Sequence, residues 1–190
     1  MSDIKESTRK PEKAIRPRLA DYVREIPDFP KPGIVFRDVT GILDNAEGLR
    51  LAIDQLADRV EGVAFDAVVS MESRGFIFGM PLAYKLNKPF VPVRKPGKLP
   101  RETVSEEYDL EYGKDRLEMH RYALKPGARV VVVDDLLATG GTAAACARLV
   151  ERVGASVVKM LFVIELEGFA ARAEKLSGHV VDALVRYPGK

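Results

Sequence analysis

Residues Val130 to Thr142 read VVVVDDLLATGGT, and the order of side-chain types in that run sets the kind of fold around it. Four consecutive β-branched apolar residues, Val130, Val131, Val132 and Val133, suit a strand buried on both faces of a sheet. Two adjacent carboxylates, Asp134 and Asp135, stand where such a strand leaves the core. The loop Ala138, Thr139, Gly140, Gly141, Thr142 follows at once, and then an Ala-rich stretch of helical character. Glycines let backbone N–H groups close around an anion, threonine hydroxyls add donors, and the helix N-terminus adds a favourable dipole. The loop therefore reads as a phosphate cradle.

The carboxylates narrow the phosphate compound. A phosphate site gains nothing from two nearby negative charges unless they have a separate task, such as accepting hydrogen bonds from sugar hydroxyls or helping to hold a divalent cation. A ribose 5-phosphate meets both demands. A buried strand turning tightly into a helix would account for the valines and glycines but leaves Asp134 and Asp135 unexplained. The run has neither the G-x-x-x-x-G-K-[ST] spacing of a P-loop nor the G-x-G-x-x-G of a dinucleotide fold. It resembles the phosphoribosyl diphosphate (PRPP) signature of the type I phosphoribosyltransferases.

The chain of 190 residues suits one domain, residues 17–190, preceded by a charged segment over residues 1–16 that reads as a disordered tail. With 46% hydrophobic and 31% charged residues and a net charge of +2, the composition gives no electrostatic case for nucleic acid. No apolar run reaches the roughly 18 residues of a membrane span, and the first twenty residues lack the apolar core of a secretory signal, so a cytoplasmic location is expected. The single cysteine, Cys146, reads as a buried helical thiol. His120 and His179 are read as ordinary surface or strand-edge residues.

Working outward, Leu19, Val23 and Ile26 are spaced as a short helix stopped by Pro27, and residues 27–43 as a stiff extended segment carrying Ile34, Val35 and Phe36. A helix is predicted over 46–60, a strand over 65–71, a helix over 77–86 and a strand over 90–93. A charged loop spans 94–106, and Tyr108–Tyr112 with Arg116–His120 suggest a hairpin. Beyond the Val130 strand and its helix come a strand over 156–165, a short helix over 168–176 and a last strand over 180–185. Strands alternating with helices imply an α/β, Rossmann-like, mainly parallel sheet flanked by helices, with its ligand beyond the carboxyl ends of the strands.

Those ends carry cations. Arg74 follows the strand near 65, and Arg94, Lys95 and Lys98 follow the next; a surface loop could carry them, but a diphosphate needs this much counter-charge. The segments PDFPKPGIVFRD, ESRGF, RKPGKLP, YDLEYGK and VVVVDDLLATGGT, in this order, resemble the adenine phosphoribosyltransferase family across nearly the whole chain after residue 20. That resemblance implies purine salvage: transfer of 5-phosphoribosyl from PRPP carrying Mg²⁺ to adenine, giving AMP and pyrophosphate, in a homodimer whose active site lies near the interface. It also implies the type I fold, with an inserted flexible hairpin loop and a small N-terminal hood.

Matched by position, the resemblance assigns Ala138, Thr139, Gly140, Gly141 and Thr142 to the 5′-phosphate and Asp134 with Asp135 to the ribose. It assigns Arg74, Arg94, Lys95 and Lys98 to the pyrophosphate, and Val35, Phe36, Arg37 and Leu166 to the base. Glu111 matches the family's acid/base residue, although a solvent-facing strand glutamate is an equal reading of DLEYGK. Mg²⁺ is expected to arrive with PRPP rather than in a dedicated protein cage. Many 6-oxopurine transferases carry an aspartate where this chain has Ala138, so acid/base duty must lie elsewhere. The segment 98–107 is expected to be mobile and to close over the reaction centre. Two other readings stay open: a PRPP-sensing regulator that binds nucleic acid, and a transferase for another base.

Overall fold

A computed structural model describes residues 17–109 and 113–189; the expected tail over 1–16 and Glu111 lie outside the described residues. After a 3-10 turn at Leu19–Tyr22, β1 (Arg24–Pro27) and β2 (Val35–Asp38) form a small antiparallel hairpin, followed by α1 (Thr40–Leu43) and α2 (Ala46–Asp58). Next come β3 (Ala67–Met71), α3 (Arg74–Lys85), β4 (Phe90–Val93), β5 (Thr103–Asp109) and β6 (Lys114–His120). β7 (Arg129–Leu137), α4 (Gly141–Arg152), β8 (Ser156–Leu166), α5 (Ala171–Lys175) and β9 (Val181–Tyr187) complete the chain. A five-stranded sheet in the order β4-β3-β7-β8-β9, parallel at every pairing, is the centre of the molecule.

The four valines explain why β7 is central. Val130 and Val132 face one apolar cluster with the alanines of α4, Val104 of β5 and Leu117 and Met119 of β6. Val131 and Val133 face the opposite cluster with Ile53 and Leu56 of α2 and Phe78 and Leu82 of α3. All four are fully buried, and each such side chain contributes about 1.5–3 kcal/mol relative to exposure. Strand periodicity thus divides one uninterrupted apolar run between two helix layers. Asn45 starts α2 as the N-cap, its side chain accepting from the N–H groups of Glu47 and Gly48. Cys146 is buried on α4, and burial pushes its thiol pKa far up, consistent with an inert thiol.

Several local expectations are corrected. Residues 24–27 are not helical: only Leu19–Tyr22 turns, and Arg24–Pro27 is drawn into backbone pairing with Val35–Asp38, which a four-residue helical repeat cannot offer. Thr103–Glu107 belongs to a strand and not to a loop. β5 pairs with β6 from Thr103↔His120 to Asp109↔Lys114, a longer hairpin than 108–120. Its β5 side is fastened to α4, with Glu106 accepting from Arg148 at 2.6 Å and Arg152 at 2.5 Å. The helix expected from Ile77 begins at Arg74, and the helix expected over 168–176 shortens to Ala171–Lys175. His120 ends β6 but is buried, only 8% exposed, rather than a surface residue. No helix among the described residues is long and apolar enough to cross a membrane.

Candidate active site

The carboxyl ends of β3, β4, β7 and β8 open into a polar cleft of about 290 Å³. Its wall is the loop from Ala138 to Thr142, its floor includes Phe162, and Asp134, Asp135, Arg74, Lys95 and Tyr108 project into it. β7 runs past the carboxylates to Leu137, so Asp134 and Asp135 lie within the strand rather than after it. Gly140 then takes φ +78°, the left-handed conformation that suits glycine, and α4 starts at Gly141. The loop N–H groups and the start of α4 therefore meet at one wall, as an anion requires.

The early start of α3 completes the centre. Arg74 Nε lies 2.9 Å from Asp135 Oδ2, with Asp135 itself 4% exposed. Gly75 permits the approach: a Cβ there would fall 2.6 Å from Asp134 Oδ1. The glycine of ESRGF thus makes room for a carboxylate, a different use from presenting amides to an anion. Burial raises the Asp134 carboxyl well above the usual carboxylate range, and the neighbouring Asp135 charge adds to it. Burial also raises Asp135, with Arg74 pulling against it. Two carboxylates held this way gain from hydroxyl donors or a cation placed beside them. Their hard oxygens suit Mg²⁺, which takes one or two protein carboxylates plus substrate phosphates. Among the described residues no cluster of three metal-ligating side chains occurs.

The cationic loop is already internally paired. Glu72 accepts from Arg94 Nε at 2.5 Å and from the Lys95 backbone N–H at 2.9 Å. Burial alone would raise the Glu72 carboxyl, but these two hydrogen bonds outweigh it and hold it low. Lys95 Nζ, inside the cleft, is ion-paired to Asp115 and lies 3.3 Å from the Tyr108 hydroxyl. Desolvation opposes the ammonium, yet those partners hold its pKa above the ordinary lysine value. Arg94 and Lys98 do not line the cleft; Lys98 is exposed and its carbonyl accepts from Arg94 Nη1 at 3.4 Å. Glu72, Tyr108 and Asp115 were not singled out from sequence. An acidic residue directly before Ser-Arg-Gly was the one available signal for Glu72.

The residues expected at the base gather elsewhere. Val35, Phe36 and Arg37 lie on β2, outside the cleft lining, with Val35 46% exposed and Phe36 edge-on to Phe29 at 5.3 Å. Arg37 is ion-paired to Glu25 and stands 4.3 Å over the Tyr187 ring. Leu166 is in register with that same Tyr187 across β8 and β9. Tyr187, which the sequence did not flag, joins the hairpin to the end of β8.

A family model described as a phosphoribosyl transferase domain matches residues 38–181. The adenine phosphoribosyltransferase of Agathobacter rectalis is 60% identical over 172 residues, 90% of this chain and 98% of that protein. Among solved structures, the adenine phosphoribosyltransferase of Thermoanaerobacter pseudethanolicus has a TM-score of 0.85 at 51% identity, covering 89% of this chain and 98% of its own. That of Saccharomyces cerevisiae, complexed with an imino-altritol bisphosphate and adenine, gives 0.81 at 40% identity over 87% and 96%. The parallel sheet, the strand-Asp-Asp-loop-helix run and these likenesses agree: the chain belongs to the phosphoribosyl transferase family, among the adenine phosphoribosyltransferases.

Proposed function

We propose that the cleft transfers the 5-phosphoribosyl group of PRPP to N9 of adenine, releasing pyrophosphate and AMP, as a purine salvage step in the cytoplasm. The observation that carries this reading is the meeting of the Ala138–Thr142 loop with the Asp134–Asp135 pair and Arg74 in one cleft. In it the loop amides and threonine hydroxyls hold the 5′-phosphate, and the carboxylates accept from the ribose hydroxyls. As the bond at C1′ breaks, positive charge develops on the ribose ring and negative charge on the departing diphosphate. Arg74 and Lys95 then stabilise the leaving group more than the ground state, which is where rate is gained. Lys95 exchanges Asp115 for the diphosphate to do so. Arg94 and Lys98 reach the same group by movement of the 94–102 loop. Mg²⁺ bound to PRPP would neutralise part of the leaving-group charge. Adenine docks against Val35, Phe36, Arg37 and Leu166, and Glu111 accepts the proton the incoming purine loses.

A homodimer is supported by α3, which exposes Ile77, Met80 and Tyr84 along one face of the helix that begins at Arg74; Tyr84 is 87% exposed. A second copy seated there would bring its own groups close to the cleft.

Pyrophosphate release from PRPP and Mg²⁺ with each nucleobase in turn tests the reading. Adenine is the base expected to turn over. Silence with adenine sinks the proposal, and faster release with hypoxanthine or guanine moves it to a 6-oxopurine transferase. Glu111→Gln is expected to cut turnover by about 10²–10⁴-fold, the usual share of acid/base catalysis, while PRPP binding stays close to wild type. Unchanged turnover would remove Glu111 from the mechanism.

A further inference from the structure

Arg172 of α5 stands behind the phosphate loop, outside the cleft, with its side chain only 15% exposed. Its Nη1 donates to the Leu166 carbonyl at 2.6 Å and to the Ala138 carbonyl at 3.2 Å. Its Nη2 donates to Glu165 Oε1 at 2.6 Å, and the other Glu165 oxygen accepts from Arg186 Nε at 3.0 Å. The aliphatic part backs the loop as well: a Cβ at Gly140 would lie 3.1 Å from Arg172 Cγ and 3.3 Å from Leu176 Cδ1. One guanidinium, fixed by Glu165, thus spans the end of β8 and the first residue of the loop.

The Ala138–Thr139 peptide is not among the cis bonds of the chain. A trans peptide points its C=O and its N–H in opposite directions. A carbonyl drawn outward onto Arg172 therefore aims the Thr139 N–H towards the side occupied by the cleft, which Thr139 lines. We propose that Arg172 is a positioning residue for the phosphate loop: it sets the orientation of the Ala138–Thr139 peptide and so presents the Thr139 amide to the anion. A lysine cannot replace it, because the planar guanidinium serves two carbonyls and a carboxylate at once from fixed directions. The inference rests on the loop being the 5′-phosphate site.

Calorimetric titration of ribose 5-phosphate into wild type, Arg172→Lys, Arg172→Gln and Glu165→Gln, with a thermal melt of each, tests it. Both Arg172 variants are expected to raise Kd at least about tenfold, the loss of one hydrogen bond involving a charged group. Glu165→Gln, which loosens the guanidinium without removing it, should raise Kd by a smaller factor. Full recovery of affinity in Arg172→Lys overturns the proposal, since charge alone would then suffice. Variants that melt earlier but bind as wild type overturn it too, because the role would be purely structural. Should Arg172→Gln not fold, the Lys and Glu165 variants decide alone. Wild type that binds no ribose 5-phosphate would instead overturn the reading of the loop itself, separately from Arg172.

Discussion

The proposed phosphate end of the cleft occupies five consecutive residues at the tip of an inner strand, whereas the residues proposed for the base come from a separate two-stranded hairpin and from the end of β8. The difference follows from the ligands. An anion is satisfied by backbone N–H groups, which neighbouring residues supply in one turn. A planar base needs surfaces on both sides of its ring, and one short stretch of chain cannot face itself. The Ala138–Thr142 loop is backed by β7, α4 and α5 away from the cleft, while β1–β2 leans on the body through Arg37 over Tyr187.

Rigidity at the phosphate end can be broken at Gly140. Gly140→Val places a β-branched residue at φ +78° and into Arg172 and Leu176, so the loop must shift. A displacement of that kind is expected to cost about 10²-fold in kcat/KM, read with PRPP varied. Near-normal kinetics would mean the loop is far more adaptable than its packing implies.

At the base end the matching change is Phe36→Ala. Base stacking on an aromatic side chain is worth about 1–3 kcal/mol, so KM for adenine should rise by roughly 5–150-fold while Kd for PRPP stays put. Equal losses for both substrates would erase the distinction between the two ends.

A smaller and opposite effect is expected at Asp134. Its carboxyl is raised in the folded state, so the folded protein binds the proton more tightly than the unfolded chain does. That stability is complete below the ordinary carboxylate range and is lost as pH rises through the raised value. Above the ordinary carboxylate range the free protein therefore progressively loses that contribution, because Asp134 either takes up a proton on folding or ionises where it is buried. Asp134→Asn should raise Tm at pH 7, narrow the difference in Tm between acid and neutral pH, and weaken PRPP binding. A lower Tm at pH 7 would show that the carboxylate stabilises the fold rather than the ligand.

The smallest effect is expected at the hairpin. Removing the pairs of Glu106 with Arg148 and Arg152 by Glu106→Gln should cost no more than about 1 kcal/mol, since both arginines are half exposed. If turnover instead rises, the fastening of β5 to α4 restrains a movement that catalysis uses.

The proposed phosphate end is legible in the sequence for the same reason that it is local. Valines, paired aspartates and a Thr-Gly-Gly-Thr loop state their requirements within one strand and one turn. Asp134 and Asp135 pointed to a ribose, yet nothing adjacent to them pointed to Arg74, whose place depends on α3 starting three residues earlier than its apolar repeat. The repeat marks the buried face of a helix, and the first turn of α3 is half exposed, so the signal begins late. Thr103–Glu107 misled in the same way. Its charges read as a loop, but Glu107 lies on the exposed face of a two-stranded ribbon, and Glu106, on the opposite face, is paired with Arg148 and Arg152 of α4.

Sequence alone determined the parallel α/β architecture, the central strand and the glycine turn into the next helix, because each is encoded by periodicity or by residues in direct succession. Tertiary structure decided which cations enter the cleft, that Lys95 is held by Asp115 and Tyr108, that Arg172 backs the loop and that Tyr187 joins Arg37 to Leu166. Those partners lie on different strands and helices, and their pairing is a matter of distance in the folded molecule, which no spacing along the chain records.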